Sequence, residues 1–381
     1  MKVLFYSSYF YPYTSGITTY PFKILSYMVK KHQITVLTFN HKNNRLEEED
    51  INGFNIVRMP YLIKLYKGFI SPQSLFFFIK ELKKNDSVII NLPNVEGFIL
   101  TFLAKVFGKK VISIFHCYLG LSNKFYLKII NSITNLIITL QLTLSDKIIS
   151  YTDDYVSHLP IYKLIRNKTK TILPPILKLP ITKTKFEEFK KIKGKKIWIG
   201  YAGRISQEKG LEYLIKAISL IRHSGLSRIV VVFAGPYGKD VVGENPYFLK
   251  IKKLLEENKI NYRFFGNLIN GDLGAFYKVI DLLVLPSTNR TEAFGMVQAE
   301  AMLTGTPVVA SNLPGVRVPI KLTNMGKIVE PKNSELLSKA LLEVLNNKSK
   351  FTNSKLVKNA QEIFDIKKVY KFYKNLISSE I

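Results

Sequence analysis

The sequence predicts an α/β protein made of two doubly wound domains with parallel sheets, and three observations carry that expectation. The first is length. At 381 residues the chain exceeds one core of ordinary size, and two domains of about 180 residues are the natural division. The second is a regular alternation of apolar strand-like runs with longer helical stretches. The third is a break in that alternation near the middle of the chain.

The strand runs form two sets of six. In the first half they read KVLFYSS (2–8), QITVLTF (33–39), NIVRMP (55–60), SVIINLP (87–93), KVISIFH (110–116) and KIISYT (147–152). In the second half they read KIWIGYAG (196–203), RIVVVFAG (228–235), YRFFGN (262–267), DLLVLPS (281–287), TPVVAS (306–311) and GKIVE (326–330). Periodic helical segments such as GLEYLIKAISLIRHSG (210–225) separate many of them. Strands alternating with helices imply parallel sheets covered on both faces.

The break follows TILPPILKLP (171–180), which carries Pro174, Pro175 and Pro180. Between Lys163 and Lys196 there are twelve Lys/Arg against two Glu, so charge and proline interrupt the periodic pattern as a linker does. The expected domains are therefore 1–177 and 178–358. Residues 359–381 read as an amphipathic helix packing back on the first domain.

Composition narrows the class. Hydrophobic residues at 47% and aromatics at 12% describe a globular chain rather than a disordered one. Cys117 is the single cysteine, which rules out an intramolecular disulfide and a cysteine metal cluster and fits a reducing, cytoplasmic compartment. The run MKVLFYSSYF turns polar and aromatic and does not read as a signal peptide. The segment Phe125 to Leu144 is the best membrane-span candidate, but Lys128, Asn131, Asn135 and Gln141 interrupt it, and a long buried helix is expected there.

The formal net charge is +28, spread along the chain: 23 Lys/Arg against 10 Asp/Glu in residues 1–180, and 33 against 18 after them. Such a surface attracts anions, whether nucleic acid, acidic lipid headgroups or phosphorylated substrates. A lysine-rich surface that is merely solvated is the plainer alternative for most of these charges.

In doubly wound domains ligands bind beyond the carboxyl ends of the strands, so functional residues should directly follow strands. After KIWIGYAG comes GRISQEKG (203–210), where Gly203, Arg204, Lys209 and Gly210 put two cations beside glycines at a strand–helix junction. A helix starting there would add N–H groups and a positive dipole end to an anion site; a tight turn with two surface cations is the competing reading. It is not a P-loop, since no Gly-Lys-Ser/Thr follows at the required interval. After YRFFGN, the backbone of Gly266, Asn267 and Leu268 is placed to read a planar base. After DLLVLPS comes TNRTEAFGMVQAEAM (288–302), with Glu292 in a loop, Gly295 at a helix start and Glu300 inside that helix. A carboxylate accepts two hydroxyls at once, which suits the vicinal diols of a sugar or ribose. In the first half, Gly16 opens a helix after the first strand and His116 follows the fifth.

These residues together resemble the retaining GT-B glycosyltransferases of family 4. GRISQEKG followed by EAFGMVQAE and AEAMLTGTPVVAS is the specific part, and YFYPYTSGI and SIFHCY are similar to that family as well. The resemblance extends over essentially the whole chain and implies two Rossmann-like domains facing across a cleft. It implies that Glu292 binds donor-sugar hydroxyls and that Phe294, Gly295, Met296 and Val297 line the sugar and diphosphate. Glu300 would take the ribose hydroxyls, and Gly203, Arg204 and Lys209 the diphosphate. Gly266, Asn267 and Leu268 would line the base, Gly16 would approach the phosphates, and His116 would sit beside the reacting sugar. Catalytic roles fall to His116, Arg204, Lys209 and Glu292. One departure is Ser15-Gly16 where many members have Gly-Gly.

The implied activity is retaining transfer of a hexose from a nucleotide-sugar, UDP-linked in preference to GDP or ADP, onto a glycan or lipid-linked hydroxyl. No metal or other cofactor is expected: there is no Asp-x-Asp motif, TDDY having adjacent aspartates, and Arg204, Lys209 and helix N-termini supply positive charge. A nucleotide-binding oxidoreductase would need G-x-G-x-x-G after the first strand, where YTSGITTY offers one glycine. A nucleic-acid-binding protein would explain the charge, but no stacking ribbon or zinc module is visible, and no specific nucleic acid is expected. Residues Tyr61 to Asn85 mix aromatics, leucines and lysines like an interfacial segment for an anionic membrane; an ordinary helix burying Phe76, Phe77 and Phe78 fits them as well.

Overall fold

Val, Ile and Leu on both faces of a strand demand cover on both faces, and the chain supplies it twice. The computed structural model describes residues 1–13, 16–65, 68–120, 125–223, 228–241 and 243–380. It divides into two units: Met1–Pro175 with Ile366–Ile381, and Ile176–Asp365.

Unit 1 runs β1 (Lys2–Tyr6), α1 (Gly16–Met28), β2 (Gln33–Phe39), β3 (Glu47–Ile51), β4 (Phe54–Met59), β5 (Ile63–Leu65), β6 (Gly68–Ile70), α2 (Gln73–Lys84) and β7 (Ser87–Leu92). It continues with α3 (Gly97–Val106), β8 (Lys110–Phe115), α4 (Phe125–Leu144), β9 (Lys147–Ser150), α5 (Asp153–Ser157), α6 (Tyr162–Ile165) and β10 (Thr169–Thr171). Eight strands form one sheet in the order β10-β9-β8-β7-β1-β2-β4-β3, parallel except for β3, and β7 is buried at every residue. The antiparallel edge strand β3 was not expected. Asn52-Gly53 makes the two-residue turn, with φ of 55° and 81°, that folds β3 back on β4; Glu47, Glu48 and Asp50 are exposed on this edge while Glu49 pairs with the buried Arg58.

Unit 2 runs α7 (Lys183–Lys193), β11 (Ile197–Ala202), α8 (Leu211–His223), β12 (Ile229–Ala234), α9 (Asn245–Glu257), β13 (Asn261–Phe264), α10 (Asn270–Val279) and β14 (Leu282–Leu285). Then follow α11 (Met296–Leu303), β15 (Val308–Ser311), α12 (Val318–Thr323), β16 (Gly326–Val329), α13 (Ser334–Asn346), α14 (Lys348–Phe351) and α15 (Ser354–Ile363). Its six strands are those read from the sequence, all parallel, in the order β13-β12-β11-β14-β15-β16. Leu214, Ile218, Val231, Phe233, Val284 and Leu341 are among the residues that fill the core between α8, α13 and this sheet.

Three expectations change. The lysine-dense stretch after Pro180 is helix α7 rather than plain linker, because Phe189 is fully buried against Trp198 and Phe265 while Lys193 pairs with Asp281 at 2.7 Å. The return to unit 1 begins at Ile366 rather than 359, since α15 packs on α11 and α12. Helix α16 (Ile366–Glu380) then lies on α1, where Tyr27 and Tyr370 stack at 4.2 Å and the hydroxyls of Tyr20 and Tyr373 bond at 2.7 Å. The third change is α4, which is not a buried helix: Ile129, Ile133 and Leu136 are 45%, 54% and 59% exposed.

Candidate active site

The parallel strands of each sheet reverse their order once, between β1 and β7 in unit 1 and between β11 and β14 in unit 2. At such a point the loops leaving neighbouring strands diverge to opposite faces and open a crevice. In unit 2 the two diverging loops are those that carry GRISQEKG and TNRTEAFG.

The ends of β11, β12 and β13 are tied together. The N–H of Gly203 donates to the Ala234 carbonyl at 2.8 Å, and that of Gly235 to the Gly266 carbonyl at 2.7 Å. Gly235 has φ 137°, and a Cβ there would stand 2.2 Å from the Gly203 carbonyl oxygen, so only glycine lets the two loops approach this closely. Asn267 is exposed and Leu268 half-buried on the loop after β13.

Across the switch point the loops meet. The Thr288 N–H and hydroxyl both donate to the Glu208 carbonyl, at 2.9 and 3.2 Å. Lys209 forms an ion pair with Glu292, residues 83 positions apart, and each side chain is 16% exposed. Arg204 reaches the Glu208 carboxylate at 3.3 Å, and the Ser206 hydroxyl donates to the same oxygen at 2.7 Å. Burial alone would raise the Glu208 pKa; Lys209, Arg204 and the hydrogen bonds from the Ser206 hydroxyl and the Glu208 backbone N–H together outweigh it and hold the carboxyl below the ordinary range. The result is a partly enclosed cluster of two cations and two carboxylates that hydroxyls and phosphates can enter by exchange.

Gly295, in the left-handed region at φ 75°, starts α11, and Phe294 before it is buried against Phe364. The Gln298 amide fixes this start by donating to the Phe294 and Val316 carbonyls at 3.0 and 2.9 Å. Met296 and Val297 form the first turn of the helix and are half-buried. Glu300 lies further along it and accepts from the Tyr277 hydroxyl at 2.9 Å. Burial, reinforced by Glu300, raises the Tyr277 pKa well above its ordinary value, so this phenol is a fixed donor. Tyr277→Phe should lower stability by about 1 kcal/mol through loss of that hydrogen bond, read by melting.

Glu208, Tyr277 and Gln298 were missed as site residues. Glu208 sits inside GRISQEKG and was overlooked beside its cationic neighbours. Tyr277 and Gln298 leave no spacing signal, since their roles come from packing.

Unit 1 holds the other two expected residues. Gly16 is the first residue of α1; Ser15 lies outside the described residues. His116 follows β8 and is 2% exposed, with Nε2 2.7 Å from Asn91 Oδ1 and Nδ1 bonded to the Tyr151 hydroxyl. Asn91 in turn donates to Ser7 and to the Ile17 carbonyl, both at 3.1 Å. Burial pushes the His116 pKa down to about 3, so the ring is neutral and engaged at both nitrogens.

Glu96, after β7, has an enclosed Oε1 without a hydrogen-bond partner, and burial raises its pKa from 4.5 to about 7. The folded protein therefore keeps a proton that the unfolded chain releases between those values. Its stabilising contribution is full below pH 4.5 and lost as pH rises through 7. Glu96→Gln removes the penalty, and its stability relative to wild type should rise by about 3 kcal/mol from pH 4.5 to pH 8, read by denaturant unfolding at both ends.

Residues 182–363 match the family model for glycosyl transferases group 1, so the match lies within unit 2. Relatives include an uncharacterized glycosyltransferase of Methanocaldococcus jannaschii, 34% identical over 148 residues, which are 39% of this chain and 35% of the relative. The D-inositol 3-phosphate glycosyltransferase of Corynebacterium urealyticum is 31% identical over 153 residues, with coverage of 39% and 35%. The chain thus spans about a third of the length of these relatives. Among solved structures, the sucrose-phosphate synthase of Thermosynechococcus elongatus covers all of both chains with a TM-score of 0.79 at 16% identity. The Anabaena protein HepE in complex with UDP-glucose does so with a TM-score of 0.75 at 17% identity. The fold is the two-domain α/β architecture called GT-B, and residues 182–363 of unit 2 are similar to the glycosyl transferases group 1 family.

Proposed function

We propose that the chain is a retaining, metal-independent glycosyltransferase that moves a hexose from a UDP-sugar to a hydroxyl of a glycan or lipid-linked acceptor. The observation that carries this reading is the meeting of Lys209 and Glu292 at the switch point of the domain that matches the glycosyl transferases group 1 model. Binding of UDP-glucose by HepE, which shares the fold, favours a uridine donor.

In this reading Glu300 holds the ribose diol while Tyr277 occupies its other side, and Glu292 holds the hydroxyls of the donor sugar. As the glycosidic bond breaks, negative charge grows on the departing diphosphate. Arg204, Lys209 and the N–H groups at the start of α11 stabilise that charge, a task for fixed dipoles and cations placed beforehand. The leaving phosphate helps deprotonate an acceptor hydroxyl attacking from the same face, which retains the anomeric configuration without a carboxylate nucleophile. His116, neutral and held by Asn91 and Tyr151, shapes the acceptor side rather than carrying a proton. The enzyme works in the cytoplasm, at the inner face of the membrane.

The test is incubation with UDP-hexoses and lipid-linked or oligosaccharide acceptors, with and without EDTA, following released UDP and the product anomer by NMR. Release of UDP with retained configuration and no loss in EDTA is expected. An inverted product, or activity abolished by EDTA and restored by a divalent ion, would refute the retaining or the metal-independent part respectively.

A further inference from the structure

Helix α4 is amphipathic the wrong way round for a helix of a water-soluble domain. Its amide side chains point into unit 1 beside the buried Ile138 and Leu142: Asn135 bonds both the N–H and the carbonyl of Leu119 at 2.9 Å, and Asn131 the Gly120 carbonyl at 2.6 Å. Thr139 bonds the Tyr118 hydroxyl at 2.8 Å, and Gln141 is fully buried near Ser113. The opposite face shows Ile129, Ile130, Ile133, Leu136, Leu140 and Leu144, which are 37–59% exposed.

This face continues on the neighbouring helices. Strands β7, β8 and β9 step one way across the sheet, so right-handed crossovers put α3 and α4 on the same side, and α3 packs against both α4 and α2. Helix α3 presents Ile99, Phe102 and Val106 outward, and α2 presents Phe76. Among the described residues, 12 of the 29 exposed large hydrophobic side chains fall between Val95 and Leu144. Scattered apolar residues are ordinary on a surface; a concentration of this kind marks an interaction site.

Charge selects the occupant. From Gly97 to Ser145 the sequence has no Asp or Glu and five lysines, of which Lys105 pairs with Asp146 just beyond that stretch, and Lys80 and Lys83 on α2 are exposed beside it. Two copies placed face to face would bring these lysines together. An anionic lipid surface takes up the apolar side chains and the lysines at once. We infer that the outward layer of α3 and α4, flanked by α2, seats the protein on an anionic bilayer, with α4 lying in the interface. Helix α4 is long and apolar enough to cross a membrane by length and composition. Crossing would strip its Asn and Gln side chains of the partners they have in unit 1, whereas lying flat keeps every one of those bonds. The surface belongs to unit 1 and owes nothing to the donor site in unit 2. It also moves the centre of the expected membrane contact from Tyr61–Asn85 to the helices that follow, since Phe78 is core and Phe76 alone of the three phenylalanines is exposed.

The test is flotation of the full chain with phosphatidylcholine vesicles and with mixed phosphatidylcholine–phosphatidylglycerol vesicles, at low and high salt. The variants are Ile133→Ser/Leu136→Ser/Leu140→Ser and, as a control on unit 2, Leu249→Ser. Binding to the mixed vesicles is expected, weakened by salt, reduced about tenfold or more in the triple variant and unchanged in the control. An equal thermal shift with UDP in all three proteins shows that the fold and the donor site are intact, and failure of that shift in wild type would count against the donor reading alone. The inference is overturned if wild type ignores anionic vesicles. It is equally overturned if the triple variant floats as wild type does, or if the triple change abolishes a concentration-dependent dimer while no protein binds lipid.

Discussion

Replacing Glu292 with glutamine lowers kcat/KM for the donor by about a hundredfold to a thousandfold, the usual cost of removing one preorganised polar group from a reacting centre. The same change leaves Lys209 as an enclosed cation without the partner it now has, so the melting temperature falls as well. Lys209→Met produces the mirror image, an enclosed carboxylate without its cation. The double variant separates the two effects. Stability should return toward wild type because neither charge is left alone, whereas activity should not, because the donor contacts proposed for both residues are gone. A double-mutant cycle on unfolding free energy and on kcat/KM reads both quantities. Recovery of activity in the double variant would mean that the pair is structural only.

The second large effect concerns backbone approach. Gly235→Ala places a methyl group 2.2 Å from the Gly203 carbonyl oxygen at φ 137°, and the atom it strikes is backbone. Strain of this kind together with overpacking costs about 3 kcal/mol or more. The loop after β11 must shift, and Arg204 with it. Gly266→Ala is the informative comparison. Gly266 also has positive φ, at 72°, but a Cβ there meets nothing within 4 Å, so only the left-handed conformation is penalised, by about 1 kcal/mol. Denaturant unfolding of the two variants should therefore differ clearly. Equal losses would show that the β11 and β12 loops are not held together as described.

Much of the fold was legible because hydrophobic runs and their punctuation are local signals. All six strands of unit 2 and six of the seven parallel strands of unit 1, β1, β2, β4, β7, β8 and β9, stand where runs such as SVIINLP and RIVVVFAG occur. The hairpin at Asn52-Gly53 carried its own signal, but four acidic residues in a row do not look like a strand until β4 is there to pair with them. Helix α7 was hidden for the opposite reason. Its lysines dominate the composition, and one buried residue, Phe189, is what docks it. Helix α4 shows the limit most sharply: a row of Ile and Leu separated by Asn, Thr and Gln gives the right period and the wrong side. Which face is buried depends on what the neighbouring loop offers, and Leu119 and Gly120 offer backbone groups that only polar side chains satisfy.

The candidate site was legible where chemistry forces a residue type. Lys209 and Glu292 were named from loops 83 positions apart and are in contact. Tyr277 and Gln298 were not named, because a residue that orients another has no pattern of its own in the sequence. His116 was located by its place after a strand, but the sequence could not reveal that Asn91 and Tyr151 occupy both of its nitrogens.

The central claim is that the loop and helix carrying Glu292 and Glu300 hold a sugar nucleotide. Titration calorimetry of UDP, GDP and ADP with wild type and with Glu300→Ala tests it most directly. The expected result is preferential binding of UDP, weakened about tenfold or more when the carboxylate proposed to take the ribose diol is removed. Wild type and Glu300→Ala binding UDP equally well, or wild type binding none of the three nucleotides, would contradict it.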